Sequence, residues 1–247
     1  MLEAKGLSKK YGNGLVALSN LIFNLSSGKI SCLAGPNGSG KTTTLRLLAA
    51  LLHPTSGTIH YNDVKIDFND LAYKARVAYL PERCGFYHRF SGKWNLDFYV
   101  SLFNVKPDQE ELSHYSRLLE LEPYLDKPVG VYSFGTKQKL ALLRTLALQP
   151  AVFLLDEPFN GLDIESQHNA KQILRALRDR NKIILISTHQ ISAIEDILDD
   201  LIIIYKGKKI LKMEMAEVRK AIIDDPKLQS ITDFYLYHVK GAGNENQ

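Results

Sequence analysis

The sequence predicts an α/β protein with a parallel sheet buried on both faces, an antiparallel β flank and an inserted helical region. Three observations carry this reading. The runs "ISCLAG", "VAYLP", "AVFLLDEP", "KIILIST" and "LIIIYKG" are mostly continuous in Val, Ile and Leu, the pattern of strands without a solvent face. Helical periodicity follows at about 41–52, 165–180 and 190–199, which gives βα units. Between about 86 and 149 no strand pattern is found, only amphipathic stretches.

Taken in order, residues 2–7, 16–25 and 58–66 read as short strands joined by Gly and Asn turns, hence the antiparallel flank. The inserted region contains "SGKWNLDFYVSLF", "DQEELSHYSRLLELE" and "YSFGTKQKLALLRTLALQP". In the last of these, apolar residues recur from Lys137 to Leu148 with Pro150 as a stop, so a helix is predicted there. Its first turn carries Lys137 and Lys139 and no acid, although the positive end of a helix disfavours each cation by roughly 0.3–1 kcal/mol. Ser133, Gly135 and Thr136 lie just before it and offer a hydroxyl and close backbone N–H groups. After Lys212, "EMAEVRKAII" and "ITDFYLYHV" read as a small helical or mixed appendage ending in the polar tail "KGAGNENQ". There is no internal repeat, so the pieces read as lobes of one unit.

Composition excludes more than it identifies. With 247 residues, 45% hydrophobic and 23% charged, the chain is of ordinary globular type. A net charge of +4 is too small and too evenly spread to indicate nucleic acid. The start "MLEAKGLSKKYGNG" has no apolar signal core, and no run of eighteen apolar residues occurs, so a soluble, cytosolic chain is expected. Any membrane role would be borrowed from another polypeptide. Cys32 and Cys84 suit a reducing compartment and form no metal-ligand pattern.

The chemistry concentrates in "GPNGSGKTT", which fits G-x-x-x-x-G-K-[ST] between an apolar strand and a helix. Gly35, Asn37, Gly38, Ser39, Gly40, Lys41, Thr42 and Thr43 thus form a phosphate-binding loop, with backbone N–H groups turned inward at a helix N-terminus. Lys41 is assigned to the β/γ-phosphates and Thr42 to Mg²⁺. Asp156 ends the strand "AVFLLDEP" beside Glu157, and two adjacent acids there need a cation or water between them. Asp156 is read as a metal ligand and Glu157 as general base for the attacking water. "EPFN" lacks the Gly of a GTPase switch and no Asn-Lys-x-Asp guanine reader is found, so an ATPase is expected.

With "GPNGSGKTT", "YSFGTKQKLALLRTLALQP", "VFLLDEPFNGLD" and "LISTH" in this order, the sequence resembles the ATP-binding cassette of an ABC transporter from Leu2 to about Lys212. The resemblance implies a P-loop, RecA-like core with an antiparallel β subdomain (1–85 and 150–212), a helical subdomain (86–149) and a C-terminal appendage (213–247), all in one nucleotide-binding domain. It implies two cassettes facing head to tail, in which Ser133 and Gly135 hold the γ-phosphate bound to the other cassette. Tyr11 matches the adenine-stacking aromatic and His189 the histidine that contacts the γ-phosphate. Asn160, Gly161, Leu162 and Asp163 match the loop that crosses the dimer. The other histidines have no ligand spacing.

Two positions depart from the family pattern. Glu82 stands where Gln is usual, as in cassettes of peptide-antibiotic export or immunity and other ABC-2-type exporters; it remains a hard oxygen donor for Mg²⁺. Phe134 stands where the signature reads Gly, which implies altered packing around a working phosphate contact. Phe86, Tyr87, Phe90 and Trp94 lie where the family meets its membrane subunit, and are otherwise core of the helical lobe. The expected function is an ATP-hydrolysing subunit, using ATP and Mg²⁺, that powers a separate transmembrane permease from the cytoplasmic face of the membrane. A homodimer is preferred to a heterodimer. A soluble ATPase on a non-transport assembly and a slow-turnover nucleotide-dependent regulator remain as alternatives.

Overall fold

The computed structural model describes residues 1–244. Its elements run β1 (Leu2–Lys10), β2 (Val16–Leu25), β3 (Lys29–Ala34), α1 (Lys41–Leu48), β4 (Ser56–Tyr61), β5 (Val64–Lys65), α2 (Leu71–Lys74) and β6 (Val77–Leu80). There follow α3 (Gly92–Leu102), α4 (Gln109–Leu118), α5 (Phe134–Ala147), β7 (Val152–Asp156), α6 (Ile164–Asp179), β8 (Ile183–Thr188), β9 (Asp200–Tyr205), β10 (Lys208–Glu214), α7 (Met215–Asp224) and α8 (Ile231–Asn244).

The main sheet has the order β10-β9-β3-β8-β7-β6, parallel except for β10. Side chains alternate along a strand, so each apolar run feeds two cores. Ile30, Cys32, Phe153, Leu155, Ile184, Ile186, Leu201 and Ile203 face the helical region and the C-terminal helices. Leu33, Val152, Leu154, Ile183, Leu185, Ile202 and Ile204 face α1 and the antiparallel sheet β2-β1-β4-β5. Register places Ile184 between Ile30 and Phe153 and brings the carboxyl ends of β3, β8 and β7 to one edge. In parallel sheets ligands bind outside that edge.

Several boundaries differ from the sequence expectation, each for a local reason. The 190–199 helix is two 3₁₀ turns, Ile191–Ala193 and Glu195–Ile197. Its buried residues Ile191, Ile194 and Ile197 are spaced by three, the period of the tighter helix. Helix α1 stops at Leu48, not 52, because Ala50 turns left-handed (φ 53) and Leu51 N–H closes back on the Arg46 carbonyl. The 58–66 strand is a hairpin, with Asn62 and Asp63 both at positive φ in its two-residue turn. Helix α5 begins at Phe134, three residues before the expected start, since the Ser133 side chain caps it. Lys137 therefore closes the first turn, and Lys139 sits in the second, paired with Glu120 at 2.7 Å. In the tail, Lys240–Asn244 continue α8, and residues 245–247 lie outside the described residues.

Candidate active site

Strand β3 runs into the phosphate loop and α1. Gly40 caps that helix at φ 105 with no side-chain cap, so the first N–H groups are left for an anion. A Cβ on Gly40 would lie 2.6 Å from the Leu18 side chain and 2.8 Å from the Ala17 carbonyl, and φ 105 suits glycine alone. Gly35 sits behind the loop, where a Cβ would strike the Ile204 carbonyl and Ser39 Oγ. Lys41 is 8% exposed, and its Nζ donates to the carbonyls of Gly35 at 2.7 Å and Pro36 at 3.3 Å. Burial pulls its pKa down, and the carboxylates of Glu157 and Asp156 push it back up. The Ser39 hydroxyl is buried without a partner among the described residues, which costs about 1–3 kcal/mol unless a polar ligand meets it.

Across the sheet edge, Asp156 ends β7 and is 1% exposed. The Ser187 hydroxyl donates to its Oδ1 and the Tyr79 hydroxyl to its Oδ2 at 3.3 Å. Burial, then the Asp156 charge, pushes the Tyr79 hydroxyl up to about 12, which keeps it a donor. The next residue, Glu157, adopts φ 50, a left-handed conformation costing on the order of 1–3 kcal/mol for a side chain of this kind. It is held there because its N–H donates to the Ser187 carbonyl at 3.1 Å and its carbonyl accepts from the Asn160 N–H at 3.2 Å. This turn aims the carboxylate back at the sheet edge, where Oε1 lies 2.8 Å from His189 Nδ1, just beyond β8. An ionised carboxylate only accepts, so the proton of that bond sits on Nδ1.

Ser39, Gly40, Lys41, Asp156, Glu157 and His189 line one cleft of about 400 Å³, together with Asn37, Gly38, Thr42, Thr43, Glu82 and Tyr11. The Tyr11 hydroxyl lies 3.3 Å from Thr43 Oγ1 at the mouth. Leu15, Val16 and Ala17 form its apolar wall. Sequence reasoning missed them; the signal available was the apolar run Leu15, Val16 and Ala17 just past the Gly-Asn-Gly turn that follows Tyr11, and in the structure Leu15 and Val16 are exposed. Gly35, Ser133 and Gly135 do not line this cleft. Ser133 and Gly135 belong to a second concavity with Lys139, Gly161, Leu162 and Asp163. There the Ser133 hydroxyl accepts the Thr136 N–H at 3.1 Å, and Asp163 caps α6 through the Ser166 N–H at 2.8 Å. The exposed Phe134 ring packs on Gly161, where any Cβ would collide with it.

The family model described as ABC transporter matches residues 18–160, more than half of the chain and the phosphate loop with it. The chain belongs to the ABC transporter family of ATPases. Among curated relatives of this ATPase, "Nod factor export ATP-binding protein I" of Burkholderia orbicola is 36% identical over 212 residues, covering 85% of this chain and 69% of that protein. "Bacitracin transport ATP-binding protein BcrA" of Bacillus licheniformis is 31% identical over 221 residues, covering 89% and 72%. A solved structure described as an ATP-binding subunit of an ABC transporter superposes with TM-score 0.85 at 26% identity, covering 96% of this chain and 99% of that one. A dimeric cassette in a post-hydrolysis state bound to ADP and Pi shares the fold, with TM-score 0.78 at 23% identity over 87% and 99%.

The cleft suits this ATPase's nucleotide: a cationic, donor-rich phosphate loop beside an apolar wall. For Mg²⁺, the Thr42 hydroxyl and the carboxylates of Asp156 and Glu82 are hard oxygen donors on the same cleft. Among the described residues no group of three His, Cys, Asp or Glu side chains could hold a metal ion. On the helical region of the cassette, Tyr87, Phe90 and Trp94 are exposed, and Phe90 and Trp94 stack at 4.0 Å between ring centres. Phe86 is instead partly buried, with the Arg144 guanidinium over its ring at 4.9 Å. No helix among the described residues is long and apolar enough to cross a membrane.

Proposed function

We propose that the chain is the ATP-binding and hydrolysing subunit of an exporter, driving a separate membrane-spanning permease from the cytoplasmic face by ATP-dependent head-to-tail pairing of two identical copies. One observation carries this: Lys41 and Glu157 line one cleft while Ser133 and Gly135 line another, so a second copy is needed to place both sets around one nucleotide. The domain partition we infer is a core of 1–85 and 150–212, a helical subdomain of 86–149 and an appendage of 213–247.

In this reading Tyr11 stacks on adenine, and the loop from Gly35 to Thr43 binds the phosphates through its N–H groups and Lys41. Thr42, Asp156 and Glu82 would hold Mg²⁺, which neutralises phosphate charge when bound. Glu157 takes a proton from the water that attacks the γ-phosphorus, and ADP and phosphate are the products. His189 orients Glu157 and reaches the γ-phosphate. The exposed rings of Tyr87 and Phe90, just before α3, and of Trp94 on it meet the permease, since soluble chains rarely leave such rings bare on one face. The relatives named for Nod factor export and bacitracin transport support the exporter role.

Phosphate release by wild type and Glu157→Gln tests the reading. Turnover that depends on Glu157, with ATP still bound by the variant, supports it. Equal, near-background rates in both proteins would exclude catalysis.

A further inference from the structure

Helix α5 presents Ser133 and Gly135 at its start, and one turn later carries Gln138, a polar side chain only 3% exposed. Its Nε2 donates to two successive backbone carbonyls, Glu157 at 3.4 Å and Pro158 at 3.2 Å. These carbonyls flank the turn that keeps Glu157 at φ 50. No other side chain is recorded as donating to them among the described residues. We propose that Gln138 is a positioning residue for the general base, tying the helix that meets the other copy's phosphate to the backbone that aims Glu157 in its own cleft.

Glu157 occupies a conformation that its own φ preference resists, so its aim depends on what holds the turn. On one side the β8 backbone does so, through the Glu157 N–H and the Ser187 carbonyl at 3.1 Å. On the other side the tie runs to α5, whose first residue also rests on the loop at 160–163, because the Phe134 ring covers Gly161. A displacement of the start of α5 is therefore passed to the backbone on the far side of the catalytic carboxylate. Engagement of Ser133 by a phosphate on one copy would adjust the base of that same copy, which couples the two nucleotide sites. The inference rests on Glu157 acting as the base and on α5 meeting the second copy.

Gln138→Met preserves length and removes both donors; Gln138→Glu is isosteric and turns the donor into an acceptor facing two carbonyls. Phosphate-release kinetics should show kcat lowered about ten- to a hundredfold in Gln138→Met, the order expected when a reacting group is misplaced by up to an ångström, with KM for ATP within about twofold. Gln138→Glu should lose at least as much, and decides the matter should the Met variant fail to fold. Combined with Glu157→Gln, Gln138→Met should lower the residual rate no further, since it acts through a carboxylate already removed. The ATP·Mg²⁺-dependent dimer of Glu157→Gln should persist in the double variant. A folded variant with kcat within twofold of wild type, a matching rise in KM, loss of the dimer, or additive losses in the double variant would overturn the proposal. If Glu157→Gln alone keeps full turnover, it is the assignment of the base that fails.

Discussion

Glu157 Oε1 and His189 Nδ1 lie 2.8 Å apart, joining the ends of β7 and β8. The carboxylate is nearly buried and the imidazole is 43% exposed, so the pair spans the boundary between core and cleft. His189 thereby fixes the carboxylate's orientation, while its Nε2 faces the Gln190 side-chain amide at 3.5 Å. His189→Ala should lower kcat on the order of a hundredfold, as when a reacting group is misplaced by about an ångström. ATP affinity should change little. Steady-state phosphate release and nucleotide titration separate the two effects, and a kcat within threefold of wild type would remove His189 from the mechanism.

Lys41 is a buried cation bonded to its own loop carbonyls at 2.7 and 3.3 Å. An ammonium lowered in pKa by desolvation gains more from an incoming phosphate than an exposed one would. Lys41→Ala should weaken ATP binding roughly ten- to a hundredfold, corresponding to about 1.5–3 kcal/mol for a charge-assisted hydrogen bond. Calorimetric titration of wild type and variant measures it.

Glu82 lines the same cleft but is exposed, unlike Asp156. A carboxylate binds Mg²⁺ more strongly than an amide oxygen. Glu82→Gln should therefore raise the Mg²⁺ concentration that gives half-maximal turnover, with ATP binding in the absence of Mg²⁺ unchanged. An unaltered Mg²⁺ dependence would place Glu82 outside the metal site.

Much of the fold is legible because strands buried on both faces leave an unmistakable apolar record, and one phosphate loop fixes the sheet edge where chemistry takes place. What escaped the sequence depends on contacts distant along the chain. Gln138 looks like any polar residue of an amphipathic helix; only its 3% exposure and the carbonyls nineteen and twenty positions away reveal its role. The start of α5 was obscured because Phe134 reads as a residue before the helix until Ser133 is seen capping it. In "ISAIEDIL" the spacing by three favours 3₁₀ turns, a distinction that apolar periodicity alone blurs.

Glu111 on α4 pairs with Arg180, just past α6, and accepts from the Tyr115 hydroxyl at 2.7 Å. Burial raises its pKa, but the bonds to Tyr115 and Arg180 outweigh this and hold it below the ordinary 4.5. A carboxyl depressed in the fold contributes stability that is present above its unfolded value and lost as pH falls through the folded one. Glu111→Gln should cost about 0.2–1 kcal/mol at neutral pH, the modest range of an exposed pair. Urea denaturation should show that difference begin to shrink below about pH 4.5 and vanish only once the pH is under the depressed folded value. A gap unchanged under acid would mean that the pair carries no such linkage.

Whether two copies share each nucleotide is decided by the solution mass of Glu157→Gln with and without ATP·Mg²⁺. The mass should shift from monomer to dimer, and Ser133→Arg should abolish that shift. A monomer that persists while ATP is demonstrably bound would contradict such sharing.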